Sequence, residues 1–411
     1  MSVRFFLLII LCFSWSSLAF ADEGRVLKVY HDSDWANNVE SSEAIWRGME
    51  LALSEVDYAV NGTRIELVKK SHNGNVTRSL RNMKAFLADK EAIAVFSGMH
   101  SPPLITNRAF INDNNIPLLV PWAAGGPITR YPSSENSIFR LSVDDTKAGK
   151  VLVEHGLNEH KCYTPYLLVE NTPWGDSNIK SIRAALAKIG RSPAGTKRFG
   201  WGLQSHVARS IILDVVREGA DCAFLISTAK EGAHISVAMS ELPEEERLPI
   251  LSHWGVTGGS FHKEVPFAVR DMIELAFIQT CFSFMQEPMS PKAKNAFERL
   301  QKLYPEDIKT RKDIRPPAGY IHGYDLTRLF IAALSQIDLT EDMAVNRKLL
   351  RRSLENIESP VQGLIKTYRK PFAEFSEDNF DAHEALGREN ICMGRYGPDN
   401  EIIVHGSVGK Q

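Results

Sequence analysis

The sequence predicts an α/β protein of two lobes, each a parallel sheet flanked by helices. Three observations carry that prediction. Strand-like and helix-like segments alternate from residue 26 to residue 120. The alternation restarts at residue 166. Of 411 residues, 44% are hydrophobic and 24% charged, enough apolar material for two cores.

Residues 26–30 (VLKVY) read as the first strand. A helix over 42–56 places Ile45, Met49, Ala52, Leu53 and Val56 on one face. Asn61-Gly62 marks a turn before a strand over 64–68. A helix over 76–88, a strand over 92–96, a helix over 105–112 and a strand over 117–120 follow. This βαβαβαβ order is the mark of a parallel sheet covered by helices. The second series has strands over 166–169, 196–199, 222–226 and 248–251, with helices over 177–189, 206–218 and 231–240 between them. No low-complexity linker separates the two series. The joins are ordered segments at Phe139-Arg140-Leu141 and Trp254-Gly255-Val256. Beyond Pro266 the pattern is mostly helical, with helices expected over 267–285, 293–303, 324–336 and 345–355 and a last strand over 401–404.

The first 21 residues are expected to be a cleaved export signal. Arg4 is positive, residues 5–13 (FFLLIILCF) are apolar, and Ala19-Phe20-Ala21 fits an A-x-A cleavage site. Cleavage after Ala21 starts the mature chain at Asp22 and places it in the periplasm or outside the cell. Leu11 before Cys12 argues against a lipoprotein. No later stretch reaches about 20 apolar residues, the length of a membrane span. Lys and Arg number 48 against 50 Asp and Glu, for a net charge of -2. That balance gives no basic excess for nucleic-acid binding.

Four cysteines follow the signal: Cys162, Cys222, Cys281 and Cys392. They allow three complete pairings. A Cys162–Cys222 bridge is sterically allowed, since each cysteine leads into a predicted strand. The expected state is nevertheless four buried free thiols. No C-x-x-C, zinc spacing, P-loop, H-E-x-x-H or G-x-S-x-G elbow occurs, so neither an enzyme nor a cofactor is expected.

Ligands of parallel sheets sit beyond the carboxyl ends of the strands. Four of the seven tryptophans fall in such loops: Trp35, Trp122, Trp174 and Trp254. This clustering favours a cleft with aromatic walls. His31, His100 and His253 also stand at strand ends. They come from different loops with no close-spaced ligand pair, so a metal is not expected. Glu154-His155 and Glu159-His160 read as the solvated end of a helix.

Several segments together are distinctive: Ala94-Val95-Phe96-Ser97-Gly98, then Ile116-Pro117-Leu118-Leu119-Val120-Pro121-Trp122-Ala123-Ala124, then Phe139-Arg140-Leu141-Ser142-Val143-Asp144-Asp145, then Trp174-Gly175 and Gly323-Tyr324-Asp325. In order and spacing the chain resembles type I periplasmic binding proteins, within them the leucine/isoleucine/valine-binding branch that serves ABC importers. The resemblance implies a Venus-flytrap with three crossovers, near Arg140, near Trp254 and over 388–393. Lobe 1 would comprise 22–141 plus 257–388, and lobe 2 142–256 plus 389–411.

The resemblance also implies a site. Ser97, Ser101 and the amides between them match a loop that receives a ligand carboxylate at a helix N-terminus, although Pro102 and Pro103 remove two donors. Ala123 and Ala124 stand at the turn that usually offers a threonine hydroxyl to an ammonium group. Trp254 stands where an acid is usual, and Trp174 matches an aromatic wall. A buried ammonium without an anionic partner costs several kcal/mol. These departures point away from aliphatic amino acids, toward an aromatic or heterocyclic acid or an amino-acid derivative, with Lys230 or His100 as charge partner. A cation stacked on Trp122, Trp174 and Trp254 is the competing chemistry. The implied role is that of a monomeric solute-binding protein delivering a small molecule to an ABC permease. The alternative is a sensory protein of the same fold reporting to a membrane receptor or kinase.

Overall fold

The computed structural model describes residues 25–133 and 135–405. The expected signal, residues 1–21, lies outside the described residues. The chain runs through β1 (Val26–Ser33), α1 (Val39–Ser54), β2 (Ala59–Val60), β3 (Thr63–Ser71), α2 (Val76–Ala88), β4 (Ala92–Ser97), α3 (Ser101–Asp113), β5 (Leu118–Val120) and β6 (Ile138–Arg140). These strands form one sheet in the order β2-β3-β1-β4-β5-β6. All its pairings are parallel except the short β2–β3 hairpin.

The chain then crosses into α4 (Asp145–His160), β7 (Pro165–Glu170), α5 (Pro173–Ala187), β8 (Gly195–Phe199), α6 (Ser205–Arg217), β9 (Cys222–Ile226), α7 (Ala229–Ser240) and β10 (Ile250–Ser252). Two single-turn helices, α8 (Phe261–Glu264) and α9 (Phe267–Arg270), lead to β11 (Leu275–Thr280). After α10 (Pro291–Leu303), α11 (Pro317–Ser335), α12 (Met343–Glu355) and the hairpin β12 (Val361–Gln362) and β13 (Thr367–Tyr368), the chain returns as β14 (Ile391–Tyr396) and β15 (Ile402–His405). The second sheet has the order β15-β14-β11-β10-β9-β7-β8.

One helix expected from sequence is corrected. Residues 267–285 hold a single helical turn and then strand β11, not one long helix. Leu275–Thr280 pairs with β10 on one side and β14 on the other, so both backbone edges are satisfied inside a sheet. A short apolar run carries no periodicity that separates buried strand from buried helix. The consequence reaches the lobe boundary. β11 belongs to the second sheet, so the chain leaves that sheet after Thr280, whereas the expected division gave 257–388 to the first lobe.

The cysteines are corrected too. Cys162 is bridged to Cys222, with Cα atoms 5.7 Å apart, and Cys281 to Cys392, with Cα atoms 4.9 Å apart. The first bridge fastens the end of α4 to β9. The second fastens β11 to β14, whose pairing already sets Gln279 opposite Cys392. Neither pair is close in sequence, which is why spacing did not reveal them.

Two features hold the frame around the cleft. Helix α11 lies in direct backbone contact with α1, through Gly48, Gly319 and Gly323. At the first crossover the fully buried Arg140 grips Glu384, with its Nη2 2.6 Å from Oε1 and its Nε 2.8 Å from Oε2. This bidentate pair ties the end of β6 to the returning chain.

A candidate ligand cavity between the two sheets

The site is built from strand ends and helix starts of both sheets. The first sheet contributes Met99, His100, Ser101 and Pro102 from the start of α3, and Trp122 and Ala124 from the loop after β5. The second contributes Glu170 at the end of β7, Thr172 and Trp174 at the start of α5, Trp201 after β8, and Thr228 at the start of α7. Trp254 and Gly255 close one side from the turn after β10. In this arrangement they leave a cavity of only about 20 Å³, the room of a single water, so a larger solute requires the walls to move apart.

Local sequence explains several positions. Thr172 caps α5 by accepting from the Gly175 N–H, with Pro173 in the first turn, so Trp174 is delivered at the helix start. Its indole Nε1 donates to the buried Asp145 at 3.3 Å. His253 Nε2 also approaches Asp145, at 3.0 Å, but out of line for a hydrogen bond. A side chain on Gly255 would collide with the Trp174 ring, 2.8 Å away. Trp122 and Trp254 meet edge to face at 6.0 Å between ring centroids. The Trp122 Nε1–H is buried without a hydrogen-bond partner.

Of the residues expected at the site, His100, Ser101, Trp122, Ala124, Trp174 and Trp254 line this cavity. Trp35, Ser97, Ala123 and Lys230 do not, and the reasons are physical. Trp35 packs edge-on against His31 and Trp46, under the Lys69 ammonium at 4.1 Å. Ser97 is buried at the end of β4 with its hydroxyl turned to the Gly98 carbonyl. Ala123 points into the core beside Ile128 and Ile138. Lys230 lies exposed on the first turn of α7. His100 pairs with Asp34 at 3.3 Å. Burial alone would raise the Asp34 pKa. Hydrogen bonds from His100, the Asn37 backbone and Asn38 outweigh it and hold the carboxyl well below the usual range.

Sequence reasoning missed Glu170 and Trp201. Glu170 is 1% exposed. Its Oε1 accepts from the Thr228 N–H at 2.5 Å and the Thr228 hydroxyl at 2.6 Å, and its Oε2 accepts from Trp201 Nε1 at 2.8 Å. Burial raises its pKa, the three hydrogen bonds oppose that shift, and nearby Glu231 adds to it. The signal was an acid closing an otherwise apolar buried strand, PYLLVE. Trp201 reaches across the cleft, its ring 5.5 Å from that of His100 and 3.4 Å from where a Gly74 side chain would begin. An acid thus reaches the cavity from β7, although the second crossover itself carries Trp254.

Comparison with known proteins agrees with this architecture. The periplasmic binding protein type 1 from Bordetella pertussis Tohama I matches with a TM-score of 0.75 at 18% identity, over 93% of this chain and 100% of that one. The R. palustris ABC-transporter solute-binding protein solved with benzoate matches at 0.72 and 14%, over 93% and 96%. The branched-chain amino acid transporter substrate-binding protein LivJ of Streptococcus pneumoniae, solved with isoleucine, matches at 0.72 and 16%, over 93% and 100%. No curated protein matches the chain. The family model described as periplasmic binding protein matches residues 35–378, and the chain, with its two α/β lobes, belongs to that family of binding proteins.

Proposed function

We propose that the protein is exported, captures a small organic solute between its two lobes and hands it to an ABC importer. One observation carries this reading: indoles from both sheets wall a single cavity, Trp122 from one and Trp174 from the other. A solute that touches both rings lowers the free energy of the closed arrangement alone, which is how binding shifts a two-state hinge. Fold neighbours solved with benzoate and with isoleucine support capture of small organic solutes at this kind of site. The cavity also bears on the choice of solute. An aromatic or heterocyclic acid would meet the buried Glu170, whereas an amine or amino-acid derivative would find a counter-charge there. The geometry therefore favours the second.

The test is a thermal-shift screen of the mature protein against organic acids, amines and amino acids. A solute at 100 times its dissociation constant adds about 2.7 kcal/mol of stability. At least one solute is expected to raise the melting temperature of the wild type and to lose that effect in Trp122→Ala. A set of stabilising solutes indifferent to Trp122 would place binding elsewhere.

A further inference from the structure

We propose that the cavity selects a quaternary ammonium ion carrying an oxygen acceptor, with Glu170 as counter-charge and the indoles of Trp122, Trp174, Trp201 and Trp254 as walls. This rests on the capture reading and names its ligand class.

The first argument is charge. The Thr228 hydroxyl lies 2.6 Å from Glu170 and 2.9 Å from Glu231, both buried. One hydroxyl carries one proton, so it can donate to only one of the two carboxyls. Among the described residues neither carboxyl has a Lys, Arg or His within ion-pair distance. Lys230, the nearest in sequence, is exposed. The two carboxyls thus share one hydroxyl donor with no basic side chain beside them, and a bound cation would supply the missing counter-charge.

The second argument is donor count. Oε1 of Glu170 already accepts two hydrogen bonds and Oε2 one. A primary ammonium brings three N–H groups that need acceptors. The Ser101 and Thr172 hydroxyls in the wall already accept from the Gly125 and Gly175 N–H groups, and Ala124 adds no acceptor. A quaternary ammonium asks only for charge and aromatic surface, and four tryptophans line the cavity. The third argument is the orphan donor. Trp122 Nε1 is buried in the cavity wall without a partner, and an oxygen on the ligand would satisfy it.

The experiment is isothermal titration of the mature protein with choline, tetramethylammonium, 3,3-dimethyl-1-butanol, benzoate and leucine. The butanol is the uncharged carbon isostere of choline. Choline is expected to bind at least tenfold more tightly than the isostere and more tightly than tetramethylammonium, which has no oxygen. Glu170→Gln should cost choline at least tenfold and leave the isostere unchanged. Trp201→Ala, at a ring 47% exposed and so harmless to folding, should also weaken choline by at least fivefold. The assignment is overturned if choline and its isostere bind alike, if neither cation binds at 10 mM, or if benzoate or leucine binds tenfold more tightly than choline. In those cases the capture reading still stands when any other solute stabilises the protein in a Trp122-dependent way. It falls with the assignment when none does.

Discussion

His31 shows what single side chains contribute here. It is fully buried at the end of β1, its ring stacked 6.3 Å from Trp46, and neither ring nitrogen has a partner. Burial first, then repulsion from His72 and Lys69, pushes its pKa down to about 3. The native state therefore keeps the imidazole neutral while the unfolded chain protonates it below about pH 6.5. Because the unfolded state binds the extra proton, this group's contribution to stability falls as pH drops through that window. His31→Phe should keep the stacking and remove both the unsatisfied nitrogens and the titration. The gain over wild type should be about 1–2 kcal/mol at pH 7, and roughly 2 kcal/mol larger at pH 5. Urea unfolding of both proteins at the two pH values checks this. An equal gain at both would mean that native His31 protonates freely.

At the scale of elements, the contact between α1 and α11 sets how the third section of the chain rests on the first lobe. A Cβ on Gly48 would stand 2.8 Å from the Tyr324 backbone nitrogen, and closer still to the Tyr320 carbonyl. Backbone cannot step aside as a side chain can. Gly48→Ala should therefore destabilise the protein by about 2 kcal/mol or more, despite the roughly 1 kcal/mol that alanine gains in helix propensity. Thermal unfolding reads this, and a stabilised variant would show that the helices separate easily. Helix α2 was fully legible in sequence, since Asn75 caps it and its apolar face keeps a helical period. Strand β11 was not, because its six residues are buried by neighbours that come from distant sequence. The site divides in the same way. Trp122, Trp174 and Trp254 stood out at strand ends and line the cavity, Trp35 stood out and does not, and Glu170 looked like an ordinary strand-end acid until β9 and α7 brought Thr228 against it. The disulfides likewise depend on strand pairing, which no local pattern states.

For the whole molecule, the cavity is the meeting point of the lobes. Trp122 belongs to the first lobe and Trp174 to the second, yet both sit in one continuous buried apolar cluster with Trp254. Gly126 on one side donates to the Ser177 hydroxyl on the other at 3.1 Å. Arg140 and Glu384 secure the crossover beneath them. On the proposed reading a ligand bridges the two tryptophans and must lose affinity when either is cut back. Calorimetric titration of the best solute from the screen into wild type, Trp122→Ala and Trp174→Ala tests this claim most directly. Each truncation, from opposite lobes, should cost about 2 kcal/mol or more, a rise in Kd of roughly thirtyfold. Unchanged affinity in either variant, with the protein still folded, would contradict capture between the lobes.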